Sequence, residues 1–282
     1  PASAFAMETA LDEICEKLDM DPLELRLLNS AKEGTRRITG PLFPKVGFIE
    51  TLQAAKDHPH YSAPLEGPNR ARGVASGYWP NNTGPASASA IVNSDGTVNL
   101  VEGSVDLSGT RVTLSQQLAE VLGIPAEDIR PTVADTDSVG FTSNSGGSGA
   151  TFKTGWASYE AAQDVKQQLV ERAALIWDTD VDQVEYVDGV LRHKADAELQ
   201  LTFKEIAAQL AGTGGPVVGR ANLNPSGSSG SYSANIVDVE VDAETGKVDI
   251  LRTTAFQDAG TAIHPAYVEG QIQGGTSQGG GW

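Results

Sequence analysis

Two strand–turn–strand patterns, far apart in this 282-residue chain, limit the folds available to it. The first surrounds Asp95-Gly96, a pair typical of a tight hairpin turn, and the second surrounds a longer turn that ends at Gly246. Each pattern then runs into Asp, Gly and Thr, which predicts an internal repeat of hairpin, loop and helix. The strands are predicted at residues 86–92, 97–107, 233–242 and 247–256, and the loops at Asp106–Thr110 and Asp258–Thr261.

Helical patterns occupy much of the remaining chain. Residues 4–18 carry an apolar stripe, and Asp21 can cap a second helix in which Glu24 closes a capping box and Gly34 marks the end. Helices mixed with strands, without strict βαβ alternation, predict an α+β protein of mixed sheets packed with helices. Further helices are predicted at 48–56, 113–123 and 151–177, a third strand pair at 184–186 and 190–191, a capping box at Thr202–Glu205, and a linker with solvated His58 and His60 at 57–70.

Composition narrows the class of partner. A formal net charge of −17 disfavours binding to nucleic acid and to anionic membrane surfaces. The single cysteine, Cys15, excludes an internal disulfide and is expected to be a buried small hydrophobe. No apolar run approaches the roughly 20 residues of a membrane helix, and no signal peptide is visible, so we expect a cytoplasmic protein.

Three polar, glycine-rich segments are candidates for binding an anion. They carry backbone N–H groups and side-chain hydroxyls or amides, which hold phosphates and large cofactors without reacting with them. Each segment has a simpler alternative. The serine- and glycine-rich segment could be a flexible surface loop, and the aspartate-containing segment a helix cap with a turn. The glutamine-containing segment could be an exposed helix, although glycine disfavours a helix by roughly 1 kcal/mol per residue. The segments are Ser143–Thr151, Asp106–Thr110, and the stretch with Gln271, Gln273 and Gln278.

Other chemical motifs are missing from the sequence. There is no Walker loop, no Rossmann glycine pattern, and no Ser/His/Asp or Cys/His arrangement. The histidines are scattered, and His264 before a proline is expected to be a turn residue. Asp135 and Asp137 pair two carboxylates that could hold a hard cation, but an ordinary turn is the favoured interpretation. No catalytic residue and no metal ligand is assigned.

Four segments together, in this order and spacing, resemble the molybdenum-binding subunit of the xanthine dehydrogenase and aldehyde oxidase family of molybdenum hydroxylases. The resemblance implies a molybdopterin-binding-domain-like fold, in which residues 1–70 close a first cofactor subdomain and add a linker, and residues 71–282 form a second, truncated subdomain. The segments are Phe5–Asn29, Val105–Thr110, Asp135–Asp137 with Ser145–Ser148, and Asp258–Gly281.

The resemblance also implies an activity, a cofactor and partners. Members of the family hydroxylate aldehydes or N-heteroaromatic compounds with oxygen from water, using molybdopterin, in some cases as a cytosine dinucleotide. Iron–sulfur clusters and FAD on partner subunits or domains receive the electrons, and the remainder of the molybdenum subunit completes the site. The cofactor-binding residues implied here are Asp106, Ser108, Gly109, Thr110, Ser145, Gly146, Gly147, Ser148, Gly149, Asp258, Gln271, Gly275, Gln278 and Gly279.

The chain departs from the family pattern at several positions. Ser108-Gly109-Thr110 stands in place of Gly-Gln-Gly, Gly149 in place of an arginine, and His264 in place of an asparagine. The family's Phe-Gly-Gly loop and its Gly-x-Gly-Glu segment, which carries the catalytic glutamate, are not found. We therefore expect an internal fragment that is inactive alone. A non-catalytic binding or assembly module of the same fold, or an unrelated phosphate- or nucleotide-binding protein, remains the alternative.

Overall fold

The computed structural model describes residues 2–227 and 230–281, and mixed sheets and helices alternate along it, which confirms the predicted α+β class. Within these residues no helix combines the length and the hydropathy needed to cross a membrane. In chain order the elements are α1 (Ala2–Leu18), α2 (Pro22–Leu28), α3 (Phe48–Asp57), α4 (Pro59–Ser62), β1 (Arg70–Trp79), β2 (Ala86–Val92), β3 (Val98–Glu102), α5 (Thr110–Leu122), β4 (Ile129–Val133), α6 (Thr136–Val139), α7 (Ala150–Trp177), β5 (Val184–Val187), β6 (Val190–His193), β7 (Gln200–Thr202), α8 (Phe203–Gln209), β8 (Val218–Leu223), β9 (Ser231–Val241), β10 (Val248–Gln257) and α9 (Pro265–Gly280).

The chain forms two compact units. The first combines the described residues up to Asn81 with those from Gly230 onwards, and the second comprises residues 82–227. The predicted division of the chain into cofactor subdomains near residue 70 stays a prediction. Cys15 in α1 is buried, as expected, whereas most of the apolar stripe on the same helix is exposed among the described residues.

An antiparallel sheet in the order β1-β9-β10 forms the body of the first unit. Burial alternates along β9, so that Ala234 and Ile236 point into the core while their neighbours face away. Leu23 of α2 and Leu52 of α3 cover that face and are fully buried. The predicted second hairpin is therefore confirmed, and its inward face holds two helices.

The second helix begins as predicted and ends earlier. Asp21 caps it by accepting hydrogen bonds from the N–H groups of Leu23 and Glu24. Glu24 makes an ion pair with Lys56 instead of closing a capping box. The helix stops at Leu28 and not near Gly34, because the Asn29 side chain donates to the Leu25 carbonyl (2.8 Å) and competes with further helical bonds.

His60 was expected to be solvated in a linker, and this is wrong. The linker folds into the short helix α4, and His60 is fully buried. Its Nδ1 lies 2.7 Å from the Thr254 hydroxyl and its Nε2 lies 3.0 Å from Asp238. Arg72 also binds Asp238, and this guanidinium, followed by His60, lowers the pKa of the Asp238 carboxyl. The hydrogen-bonding partners of His60 offset the free-energy cost of burying its imidazole, a burial that the composition of the segment did not indicate.

A four-stranded sheet in the order β4-β3-β2-β8 forms the centre of the second unit. The hairpin β2–β3 and the antiparallel pair β2–β8 are regular, whereas β3 and β4 are parallel and are joined through α5. The long helix α7 packs on the sheet with α5, and its alanines let the backbones approach closely. A small antiparallel sheet, β5-β6-β7, precedes α8, whose Thr202–Glu205 capping box is present as predicted.

Candidate functional site

The carboxyl ends of β3 and β4 form one edge of the sheet in the second unit. These strands are parallel, so Glu102 and Val133 end at the same edge, and the N–H of Ala134 donates to the Glu102 carbonyl (2.9 Å). The chain leaves β3 through a loop that leads into α5, and it leaves β4 through the short helix α6 and a second loop that leads into α7. Loops that follow adjacent parallel strands are the usual place for a binding site in such sheets.

The first loop contains the predicted residues Asp106, Ser108, Gly109 and Thr110. Ser108 and Gly109 adopt left-handed backbone conformations, with φ of +53° and +80°. Neither Ser108 nor Thr110 caps α5, since Gly109 occupies the N-cap position and the Thr110 hydroxyl donates to the Leu107 carbonyl. The alternative that these hydroxyls cap the helix is therefore wrong.

Asp106 turns back onto the first turn of α5. Its carboxylate accepts hydrogen bonds from the Arg111 backbone N–H (3.1 Å) and from the Arg111 guanidinium (2.7 Å). These contacts lower the pKa of Asp106, so the carboxylate stays ionised at neutral pH. Asp106 thus fixes the shape of the loop, in which Ser108 is exposed and Gly109 is half-buried.

The second loop, Ser143–Gly149, is anchored on both sides. The Ser143 N–H donates to the Pro85 carbonyl (2.9 Å), and the Asn82 N–H donates to the Gly147 carbonyl (2.7 Å). A Cβ atom at Gly149 would lie 2.3 Å from the Asn82 carbonyl oxygen, so only glycine fits there. The loop is therefore held against its surroundings by hydrogen bonds, unlike the flexible surface loop of the simpler interpretation.

The two loops adjoin. A Cβ atom at Gly103, just after β3, would lie 2.7 Å from the Thr142 hydroxyl oxygen, which itself accepts from the Ser87 N–H. Thr142 directly precedes the glycine-rich loop. The second unit therefore brings together two of the three candidate segments, which lie far apart in the sequence, at one sheet edge.

Lys153 lies beneath the second loop, one turn into α7, and is 2% exposed. Its ammonium group donates to the Ser143 carbonyl (2.8 Å), the Ser143 hydroxyl (2.6 Å) and the Asn144 carbonyl (2.5 Å). Burial lowers the pKa of Lys153. Across residues 2–227 and 230–281, the ion pairs do not include this lysine.

Glu102, the last residue of β3, is a second buried ionisable group at this edge, with 1% exposure. One carboxyl oxygen accepts from the Ser104 N–H, and the other, Oε1, has no hydrogen-bond partner in the described part of the chain. Burial raises the pKa of Glu102 to about 7, with the Ser104 N–H acting in the opposite direction. The group is therefore neutral in mildly acidic solution.

Sequence reasoning missed both buried groups, although a signal existed for each. Val98 and Leu100 are two residues apart and lie on one face of β3, and the same period places Glu102 on that inner face. Lys153 stands four residues before Ala157 and eight before Ala161, on the buried stripe of α7. In both cases a charged residue stands at the spacing of the buried apolar residues, and this spacing predicts that the charged side chain is buried.

The third candidate segment lies in the first unit and is mostly helical. Gln271, Gly275, Gln278 and Gly279 belong to α9, so the structure shows the alternative of an exposed helix for this segment. His264 caps this helix, its Nδ1 accepting from the Tyr267 N–H, and Pro265 occupies the first position. The least exposed residues of α9 are Val268, Ile272 and Thr276, at intervals of four.

At two glycines of α9 the helix surface has no neighbouring atoms against it. A Cβ atom at Gly275 or Gly279 would meet nothing within 4 Å, and the helix has no buried residue among those described. Asp258, at the end of β10, is occupied: its carboxylate accepts from the N–H groups of Gly47 (3.0 Å) and Gly260 (3.2 Å). Whether this segment and the loops of the second unit share one ligand stays a prediction.

The groups at the sheet edge of the second unit can bind a ligand through hydrogen bonds and charge. It offers backbone N–H groups of two loops, the first turn of α7 without a side-chain cap, a buried ammonium group and a buried carboxyl. No group of three or more His, Cys, Asp or Glu side chains within the described ranges could hold a metal ion directly. The arrangement suits an anionic, hydrogen-bonding ligand.

This chain is similar in sequence to a known domain family and to known proteins. Residues 50–282 match the family model described as the molybdopterin cofactor-binding domain. The chain is 28% identical to the putative xanthine dehydrogenase molybdenum-binding subunit XdhA of Escherichia coli K12, over 100% of this chain and 40% of that protein. It is 25% identical to the nicotine 6-hydroxylase large subunit of Paenarthrobacter nicotinovorans, over 99% of this chain and 38% of the relative.

Solved structures show the same fold. Reconstituted CO dehydrogenase from Oligotropha carboxidovorans superposes with a TM-score of 0.83 at 22% identity, covering 97% of this chain and 38% of that one. The aldehyde oxidoreductase of Desulfovibrio desulfuricans gives 0.72 at 25% identity, covering 98% and 30%. The chain therefore spans about two fifths of the length of the curated relatives it matches, or less.

Proposed function

Because this chain belongs to the molybdopterin cofactor-binding domain family, we propose that it lines the cofactor of a molybdenum hydroxylase. The observation that supports this most is that the chain segments leading into Asp106–Thr110 and Ser145–Gly149 adjoin at one sheet edge, where Gly103 lies against Thr142. These are two of the segments that carry the sequence resemblance. Their convergence is required if both contact one ligand.

The residues at the edge fit an anionic, heteroaromatic group. Lys153 has no carboxylate partner in the described residues, and Glu102 Oε1 has no hydrogen-bond partner there. Gly147 and Gly149 let the loop pack closely against Asn82, where a Cβ atom at either position would not fit. A phosphate-bearing pterin would supply both the charge and the hydrogen-bonding groups that this edge lacks.

The proposed role of the chain is to bind the cofactor and to orient it. Molybdopterin, when bound, supplies the molybdenum and the redox chemistry. Backbone N–H groups of Ser145–Gly149 would hold an anionic part of the cofactor, and Asp106 would keep Ser108 and Gly109 in shape through Arg111. Asp258 would fix the turn before α9, whose Gln271, Gln278, Gly275 and Gly279 would offer amides and a close backbone approach.

The complete protein that carries this chain would be an oxidoreductase with further partners. The names of its relatives, a xanthine dehydrogenase subunit and a nicotine 6-hydroxylase subunit, support N-heteroaromatic compounds as substrates, and the similar aldehyde oxidoreductase supports aldehydes. We include iron–sulfur and FAD subunits, the remainder of the molybdenum subunit, a cytosine dinucleotide form of the cofactor and a cytoplasmic location in this proposal.

Residues 1–282 alone would not catalyse hydroxylation. The sequence contains no Gly-Glu dipeptide, and so no Gly-x-Gly-Glu segment to provide the catalytic base that the family resemblance implies. The isolated polypeptide is expected to show no oxidation of aldehydes or heterocycles above background. Activity of the isolated chain with an artificial electron acceptor would contradict this part of the proposal.

The cofactor assignment is tested by analysing the complete protein that carries this chain, produced in a host that makes molybdopterin. Molybdenum is measured by elemental analysis, and the pterin by fluorescence after acid oxidation. Equal amounts of both, near one per chain, are expected. A protein free of both that binds a nucleotide would instead support the nucleotide-binding alternative.

A further inference from the structure

Lys153 is a buried positive charge without a negative partner. All three of its donors are directed at neutral oxygens, two carbonyls and one hydroxyl, in the segment Ser143–Asn144. Burial is the only influence that shifts its pKa, and it acts to lower it. No carboxylate of the described residues lies within 4.0 Å of its ammonium group. An ammonium in this position is costly unless an anion joins it.

The other ionisable group at this edge does not fill that role. Glu102 is connected to Lys153 through the contact of Gly103 with Thr142, but the two do not form an ion pair. Burial keeps the Glu102 carboxyl neutral below about pH 7, and Oε1 is left without a hydrogen bond in the described structure. The edge therefore contains an unbalanced positive charge and an unpartnered polar atom, two independent signs that a ligand is missing.

We propose that Lys153 is a positioning residue for the cofactor: it holds the Ser143–Gly149 loop in its binding shape and supplies the fixed positive charge opposite an anionic group bound there. This inference rests on the proposed function and adds a residue that no sequence motif indicated. The ligand chemistry is that of a phosphate or pyrophosphate ester. Lys153 acts through the loop, since its own donors are occupied by Ser143 and Asn144.

A purely structural role makes a different prediction. Hydrogen bonds to two carbonyls and a hydroxyl require donors but no net charge, so a neutral amide could replace part of them. If charge is what matters, Lys153→Arg retains binding and Lys153→Gln loses it, even when both proteins are folded. Comparing these two variants separates the charge from the hydrogen bonds.

The test uses the complete protein that carries this chain, as wild type, Lys153→Arg, Lys153→Gln and Lys153→Met. Lys166→Met is the matched control: Lys166 lies on the same helix, and its ammonium is 5.1 Å from the centre of the Tyr186 ring instead of in the loop. Bound pterin per chain is measured after dialysis, together with Tm. A second arm uses the wild type produced in a host that cannot make molybdopterin, and measures the Tm shift caused by inorganic pyrophosphate in low and high NaCl.

We expect Lys153→Gln and Lys153→Met to retain at least about ten-fold less pterin than wild type, as for the loss of a charge-assisted contact. Lys153→Arg and Lys166→Met retain most of it. Pyrophosphate raises the Tm of the wild type, less so in high salt. Equal pterin in folded Lys153→Gln and wild type would overturn the inference.

Wild-type protein without pterin would overturn the proposed function instead. If neither neutral variant folds, the pyrophosphate arm on the wild type decides, because an absent Tm shift in low salt contradicts an anion at this loop.

Discussion

Glu102 gives the second unit a pH dependence that originates in one side chain. Its folded-state pKa of about 7 lies above the ordinary value of 4.5, because burial disfavours the carboxylate. The folded state thus holds a proton that the unfolded chain releases. The neutral carboxyl favours folding fully below about pH 4.5, and this contribution is lost as the pH rises through about 7.

Replacing Glu102 by glutamine should remove this pH dependence. The wild type is expected to lose roughly 3 kcal/mol of unfolding free energy from this group between pH 4.5 and pH 8, and Glu102→Gln should lose correspondingly less. Urea unfolding at both pH values measures the difference. Glu185→Gln, at an exposed position in β5, is the control and should follow the wild type. Parallel pH profiles for wild type and Glu102→Gln would show that Glu102 is ionised in the folded state.

Gly149 tests how tightly the second loop is packed. A methyl group there would lie 2.3 Å from the Asn82 carbonyl oxygen, so Gly149→Ala must move backbone atoms. We expect a loss of about 1–3 kcal/mol in the free energy of unfolding, measured with urea. Gly212→Ala, where a Cβ atom meets nothing within 4 Å, should change stability by less than about 0.5 kcal/mol. Equal stability of the two variants would mean that the loop relaxes freely.

At the level of single residues, the sequence revealed the loops better than the groups beneath them. Glycines and hydroxyls cluster visibly along the chain, which is why Ser145–Gly149 could be singled out. Lys153 and Glu102 are ordinary charged residues until the sheet and the helices bury them. Their role depends on tertiary packing, and only their phase in an apolar pattern indicated it.

At the level of elements, the hairpins were the most predictable parts. Asp95-Gly96 and the turn ending at Gly246 each impose a local backbone shape, and β3 and β9 beside them alternate in burial. The helix α9 was predicted only as the less favoured alternative for its segment. Its glycines disfavour a helix by roughly 1 kcal/mol each, and they were given more weight than the His264–Pro265 start and the stripe at Val268 and Ile272.

A glycine to alanine change in α9 separates the effect of glycine on helix stability from its proposed effect on cofactor binding. Gly275→Ala is expected to stabilise the helix by roughly 0.5–1 kcal/mol, since the added methyl group meets nothing within 4 Å. The same methyl group would occupy the space proposed for close approach to the cofactor, so bound pterin should fall. Thermal unfolding and pterin fluorescence measure the two effects. Gly270→Ala, equally unobstructed and outside the proposed contacts, should stabilise the helix and leave pterin unchanged; a normal pterin content in Gly275→Ala would remove Gly275 from the proposed site.

At the level of the whole molecule, the chain builds two units that each contain a hairpin, a loop and a helix. The first unit takes residues from both ends of the chain, and the second is inserted between them. Local sequence patterns predicted the elements of this repeat because turns and caps act over a few residues. They could not predict which strands pair across the chain, such as β1 with β9, because that depends on contacts between distant segments.

The central claim is that chain-distant loops of this protein hold one molybdopterin. The most direct measurement is an experimental structure of the complete protein with its cofactor bound. We predict an anionic group of the cofactor about 3 Å from backbone nitrogens of Ser145–Gly149, with residues of Asp106–Thr110 contacting the same molecule. A molybdopterin that contacts neither loop of the second unit would contradict the account.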